Sequence, residues 1–493
     1  MKLQFCGAAR TVTGSNYYLD TGQYKILVDC GAFQGSEKLD RLNYEEFPYN
    51  PAELDFVIVT HAHYDHTGRL PMLVKQGFKG RFISTNATRD ITEVILLDSA
   101  HLQKEEYSRW LVKAKYRDQK SSGYSTKTGY TTTSSNATTN YDEEGGAFEN
   151  HEPLYNEEEV ATTMMLFDTY EYGRSIQLKD GLEIRLRNAG HILGSASVEM
   201  WAENSTGITR KIVFSGDLGQ PGARIIKDPD MIREADYVIT ESTYGNRLHK
   251  SKDETLVEFL EILKVAQKDG GNILIPTFAV ERAQEILYEL NLFIENKLIS
   301  PIELYLDSPM AIRATEIFKK YPELYDEDTR RLLEKGDDPF KFPGLHMSMT
   351  VDDSKRLVAK SNVMIMAGSG MATGGRIVHH LANNISKPNT HVIFVGYQVQ
   401  GTLGRRIVEG EPRIKIKGRH YDVFAHVHTL GGFSAHADER DLRYWLRGFG
   451  SSPKIIFVTH GEGETAVNFA HNIEQELGVN TQVPQLNEVF ELD

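Results

Sequence analysis

Residues 59 to 68 read VTHAHYDHTG. His61, His63, Asp65 and His66 crowd into this stretch, directly behind the apolar run Phe56, Val57, Ile58, Val59. Imidazole nitrogen and carboxylate oxygen are donors that zinc accepts, and catalytic zinc sites keep one position open to water. In so short a loop His61 and His63 can reach one ion while Asp65 and His66 turn to another. The spacing is not the i, i+4 histidine pair of a helical zinc protease, so the site is loop-borne and distant residues must complete it. His191 in AGHILGSAS, Asp217 in FSGDLGQ and His460 in VTHGE are available. A carboxylate such as Asp217 can bridge two ions. A pair of ions about 3.5–4 Å apart clamps the attacking and leaving oxygens of a displacement at phosphorus and lowers the pKa of water toward neutrality, giving hydroxide as nucleophile. Asp29 is read as orienting the metal loop from behind rather than as a ligand. His101, His151, His249, His346, His379, His380 and His471 lie in helical or loop contexts without such partners and are read as ordinary surface or core histidines.

The elements that must position these residues are visible as short apolar runs. They include KILVDCG (25–31), FVIVTHAH (56–63), LEIRLRNAGH (182–191), KIVFSGD (211–217), YVITEST (237–243) and KIIFVTHGE (454–462). Amphipathic stretches such as 253–269 and 281–297 alternate with strands, which predicts an α/β protein. Asp29, His61, His191, Asp217, Glu241 and His460 each stand just after an apolar run. Ligands of α/β sheets bind at the carboxyl ends of strands, so six scattered positions are expected to converge on one site.

The domain reading is a first part over 1–250, an inserted unit over 251–388, and a return to the first domain over 389–493. The segment 121–152 is rich in Ser, Thr, Asn, Tyr and Gly without periodicity, and is read as a flexible or hairpin-like insertion. The chain has 493 residues, 40% hydrophobic and 25% charged, enough for two to three domains and a large core. Its formal net charge is −14, so any surface that binds nucleic acid must be locally basic. Two cysteines, Cys6 and Cys30, exclude a disulfide framework and suggest a reducing compartment. No signal peptide is evident, and no run of about 18 apolar residues predicts a membrane span. A cytoplasmic protein is expected.

In their order, Asp29, His61-Ala-His63-Tyr-Asp65-His66, His191 and Asp217 resemble the signature of the metallo-β-lactamase superfamily. TESTYG (240–245), PTFAVERAQE (276–285), AGSGMATGGR (367–376), GYQVQGTLGRR (396–406), GFSAHAD (432–438) and VTHGE (458–462) narrow the resemblance to its β-CASP branch of nucleases. The resemblance implies an αββα sandwich with an inserted β-CASP α/β domain and a site in the cleft between them. It implies that His61, His63, His191 and Asp217 hold one zinc, and Asp65, His66, Asp217 and His460 a second, with manganese as the other candidate metal. Glu241 matches the family's motif A acid, His436 its motif B and His460 its motif C, where histidine accompanies RNA processing. The implied activity is a ribonuclease acting on RNA, read as single-stranded, with a homodimer as the candidate assembly. Asp65, His436 and Glu241 are the catalytic candidates. A histidine near its operating pKa can protonate the leaving ribose oxygen, and Glu241 can hold it protonated.

The glycine loop 367–376 precedes helix-like sequence, where backbone N–H groups suit phosphate. Ser369 and Gly370 are read as a grip on the substrate backbone; Arg282 and Arg376 read as phosphate partners or, equally, as members of surface salt bridges. The locally basic stretch 401–420 reads equally as a phosphate track or a solvated hairpin. Only 33 residues follow His460, so substrate binding is expected to rest on the two core domains or a dimer. The competing readings are a small-molecule metallohydrolase acting on a thioester or lactone, which needs neither the inserted domain nor His436, and a non-catalytic RNA-binding subunit, which would not keep every ligand position filled.

Overall fold

A computed structural model describes residues 1–122, 152–396, 398–449 and 453–493. Most of the 121–152 insertion, and His151 with it, lies outside the described residues.

Two seven-stranded sheets form the body that carries the metal-type residues. The first runs, in spatial order, Val489–Glu491, Lys2–Phe5, Tyr17–Asp20, Lys25–Val28, Phe56–Ile58, Arg81–Ser84 and Phe167–Thr169. The second runs Thr481–Gln482, Ile455–Val458, Tyr237–Thr240, Thr209–Phe214, Ala196–Glu203, Leu182–Asn188 and Ser175–Lys179. Each is antiparallel over one half and parallel over the other. The continuous apolar runs follow from burial on both faces. Ile26, Val28, Ile58, Ile212 and Phe214 point into the core between the sheets. Leu27, Val57 and Val59 point outward beneath the helices Leu70–Lys75 and Glu157–Met165. Val213, Val238 and Ile456 do the same beneath Glu439–Arg447 and Gly463–Leu477. The result is the four-layer αββα order that the family resemblance implies.

A third sheet of six strands, all parallel, runs Leu345–Met347, Leu304–Leu306, Met364–Ala367, Ile273–Pro276, His391–Phe394 and His426–Thr429. Two of these strands lie beyond residue 388, where the sequence reading ends the inserted unit. An apolar run such as HVIF does not say which sheet it joins. Only its pairing with Ile273–Pro276 assigns it to the third sheet, where His426–Thr429 joins it. The basic stretch 401–420 becomes the helix Leu403–Val408 and part of the hairpin Arg413–Ile416/Arg419–Asp422. Three of its four arginines are met by acids: Arg405 by Glu409, Arg406 by Glu411, Arg413 by Asp422. That favours the solvated-hairpin reading.

Ala62, Ile192 and Leu193, beside the metal-type residues, belong to one apolar cluster with Val280, Ala283 and Leu287 of the third unit. Among the described residues no helix is long and apolar enough to cross a membrane.

Candidate metal centre

The parallel halves of both sheets aim their carboxyl ends at one place. Asp29, His61, Asp217, Glu241 and His460 all follow parallel strands. Glycines let the loops close. A Cβ on Gly31 would sit 1.5 Å from the Asp65 carbonyl oxygen, and one on Gly219 would sit 1.6 Å from that of Gly190. These contacts press the Asp29 segment against the HAHYDH loop and the Asp217 loop against the His191 loop. Asp29 (φ 59°) and His460 (φ 48°) hold left-handed backbone without being glycine, a strain that surrounding structure must impose.

His61, His63, His191 and Asp217 form one group whose ligand atoms all lie within 4.8 Å of one another, and Asp65, His66 and His460 form another. His63 Nδ1 is 3.2 Å from His61 Nε2 and 3.1 Å from His191 Nε2. His66 Nε2 is 3.2 Å from His460 Nε2. Asp217 stands between the groups. Its Oδ2 is 3.5 Å from His61 Nε2 and 3.4 Å from His66 Nε2, and its Oδ1 is 3.7 Å from His460 Nδ1.

The far sides of the rings set their tautomers. Thr60 Oγ1 donates to Asp29 at 2.8 Å and accepts from His61 Nδ1 at 3.1 Å. His66 Nδ1 donates to Asp29 Oδ2 at 2.7 Å, and His191 Nδ1 donates to the Ala435 carbonyl at 3.1 Å. Each then turns its Nε2 into the cluster, the nitrogen left for an ion. Asp29 also accepts the Thr60 N–H at 2.8 Å, so its geometry is that of an orienting residue.

Electrostatics agree with this donor set. Burial, aided by neighbouring histidines, holds His61 and His191 well below the usual histidine range, and burial pushes His63 down to about 4. These rings are neutral, as ligands must be. Burial works against charge on His66, yet Asp217 and Asp29 outweigh it and raise its pKa. The carboxylates therefore call for positive charge at the centre. Asp217 Oδ1 is buried with no hydrogen-bond partner among the described residues. An orphaned carboxylate oxygen facing lone-pair nitrogens fits bound divalent metal.

His436 borders the cluster. Its Nδ1 lies 3.1 Å from Glu241 Oε2 and 3.8 Å from Asp217 Oδ2, and its side chain is 22% exposed. Glu241 is itself fixed by the Leu218 N–H at 2.6 Å. Burial opposes protonation of His436, but Glu241, with Asp217 and Asp65, lifts its pKa to about 9.

Other expected residues lie differently. The buried Arg282 pairs with Glu285. Arg376 reaches Asp307 at 2.7 Å and the carbonyls of Ser348 and Met349 at 2.9 Å. Both guanidiniums face carboxylates of their own domain. Ser369 bonds within its loop, to Thr373 at 3.2 Å and to the Gly374 N–H at 3.3 Å. Gly370 is needed for packing, because a Cβ there would sit 2.6 Å from the Phe278 ring.

Three supporting residues escaped the sequence reading. Thr60 fixes His61, Thr243 Oγ1 lies 3.2 Å from His460 Nδ1, and His249 Nε2 donates to the His436 carbonyl at 3.2 Å. The repeated VTH at 59–61 and 458–460 was a signal for Thr60. His249 had none.

Family models match in three places: the metallo-β-lactamase superfamily over residues 10–147, the Beta-Casp domain over 283–407, and the Zn-dependent metallo-hydrolase RNA specificity domain over 420–484. The chain is 37% identical over 465 residues to Ribonuclease TTHA0252 of Thermus thermophilus, covering 94% of each chain. It is 29% identical over 497 residues to Transcription termination factor FttA of Methanothermobacter thermautotrophicus, covering 98% of this chain and 70% of that one. A crystal structure of a protein of unknown function from Enterococcus faecalis V583 superposes with TM-score 0.52 at 12% identity, covering 100% of this chain and 99% of that one, which is a likeness of fold.

Proposed function

Because the chain belongs to the β-CASP branch of the metallo-β-lactamase superfamily, we propose that it is a metal-dependent ribonuclease, hydrolysing RNA phosphodiester bonds, with two zinc ions and single-stranded RNA as substrate. The observation that carries this reading is the pairing of a complete His/Asp ligand set with an acid-held histidine at its edge. A thioester or lactone hydrolase has no need of that second part. The relative named as a ribonuclease, aligned over 94% of both chains, supports the same conclusion.

His61, His63 and His191 with Asp217 would hold one ion, and Asp65, His66 and His460 with Asp217 the other. Bound there, divalent ions supply Lewis acidity at phosphoryl oxygen and make water acidic enough to attack at neutral pH. The remaining work falls to the chain. Asp65, mostly covered beside His460, would accept a hydrogen bond from the attacking water. Glu241 takes the Nδ1–H of His436, favours its charged form, and leaves Nε2 to give a proton to the departing ribose oxygen. Ser369 and Gly370 are the candidate grip on the substrate backbone.

The test is a 5′-labelled single-stranded RNA beside the matched DNA, wild type against His436→Ala, with and without chelator. Cutting of RNA alone, stopped by chelator and by the substitution, is the expected result. Metal-loaded protein that leaves RNA intact but opens a thioester would overturn the reading. Light scattering checks the homodimer that the resemblance implies.

A further inference from the structure

A second group of ligand-type side chains, sharing no residue with the first, sits on the edge of the third sheet. His391–Phe394 and His426–Thr429 are parallel neighbours, with His391 opposite His426 and Ile393 opposite His428. Strand residues two apart emerge on one face, so His426 and His428 rise beside His391. The rings stack: His391 to His426 with centroids 4.7 Å apart, and His391 to His428 at 5.2 Å. Asp269, the last residue of the helix Lys252–Asp269, brings Oδ2 to 3.0 Å from His391 Nε2. On the other side of the ring, His391 Nδ1 is 3.0 Å from His428 Nε2.

The geometry points to a transition-metal site, distinct from the catalytic centre, formed by Asp269, His391 and His426. Each offers a ligand atom within 4.8 Å of the other two. Zinc bonds to imidazole nitrogen and carboxylate oxygen are about 2.0–2.2 Å long. His391 is buried and fixed, while Asp269 and His426 are exposed, so those two can rotate to close on an ion entering from solvent. His428 supplies the supporting contact that a ligating histidine needs. As acceptor from His391 Nδ1–H, it leaves the Nε2 lone pair facing the ion. Two imidazoles and one carboxylate select zinc over magnesium or calcium, which want oxygen alone. The helix ends at this point with Gly270 in left-handed conformation, and the partial negative charge of a helix C-terminus favours a cation. An ion here would clip the edge strand His426–Thr429 to that helix.

The competing explanation is a hydrogen-bonded chain of Asp269, His391 and His428 that needs no ion. His426 stacks on His391 rather than extending that chain, so His426→Ala separates the two. After equilibration in a zinc buffer holding free zinc in the nanomolar range, the variant should carry one zinc per chain fewer than wild type. RNA cleavage should be unchanged, because His426 has no part in the catalytic site. His428→Ala should keep the ligands and weaken the lost equivalent by about 10–100-fold. Equal zinc content in wild type and His426→Ala overturns the site and leaves the hydrogen-bonded chain. Should the variants not fold, an anomalous-scattering map of zinc-equilibrated wild type decides: a peak among Asp269, His391 and His426 supports the site, and its absence overturns it.

Discussion

At the scale of single residues, the centre separates groups that would touch an ion from groups that aim them. His436 belongs to neither. Its partner is the Glu241 carboxylate, and part of its ring is exposed. His436→Ala should therefore lower the single-turnover rate on RNA by about 10²–10⁴-fold, the usual worth of a positioned proton donor, with metal content unchanged. Loss of metal in this variant would mean that the ring serves the ions instead. Asp29 is an aiming group, bonded to Thr60 and His66. Asp29→Asn should weaken metal affinity by about 10–100-fold, read by competition with a chelating dye, while far-ultraviolet dichroism stays that of the wild type.

Among the elements, the helix Arg282–Glu295 begins at the contact between the third unit and the His191 loop. Glu281 stands at its start with φ 65°, buried, and its carboxylate accepts the Leu193 N–H at 3.0 Å. Burial first, then Glu285, raise its pKa from 4.5 to about 8, against the pull of the Leu193 N–H, Arg282 and Lys252, and Tyr325 also faces it. A carboxyl whose folded pKa exceeds its unfolded one costs nothing below the unfolded value. Its penalty grows as pH rises and is complete above the folded value, here a window from 4.5 to about 8. Glu281→Gln keeps an acceptor oxygen and removes the charge. Its Tm should exceed that of the wild type at about pH 9 and converge with it toward about pH 5. A gap that does not close on acidification would refute the burial argument. Gly219 works at the same scale: Gly219→Ala drives a Cβ into the Gly190 carbonyl, and overpacking of this kind costs about 1–3 kcal/mol or more, measurable as a lowered denaturant midpoint.

Across the whole molecule, the candidate ligands come from both halves of the sandwich. His61, His63, Asp65 and His66 follow a strand of the first sheet, while His191, Asp217 and His460 follow strands of the second. An ion held by both sheets binds the folded state alone and stabilises it by about 2.7 kcal/mol at a concentration 100 times Kd. Chelation should lower the melting temperature, and added zinc should restore it. The same treatment should hardly move Asp217→Asn, whose shared carboxylate is gone. A melting temperature indifferent to chelator in the wild type would show that the sheets close without help.

The sequence by itself determined the candidate ligand residues, their places at strand ends and the α/β class, while the four-layer body followed from the family resemblance. What was read locally is written locally: a ligand type is a property of one side chain, and a buried parallel strand is a short apolar run wherever it lies. HAHYDH and the VTHGE histidine were legible for that reason. Tertiary structure decided what depends on pairing between distant segments. It placed HVIF and HVHT in the third sheet, beyond the boundary read from sequence. It turned Arg282 and Arg376 toward Glu285 and Asp307. It set His391 opposite His426, a register no local pattern carries, because strand partners are chosen by the fit of the whole sheet.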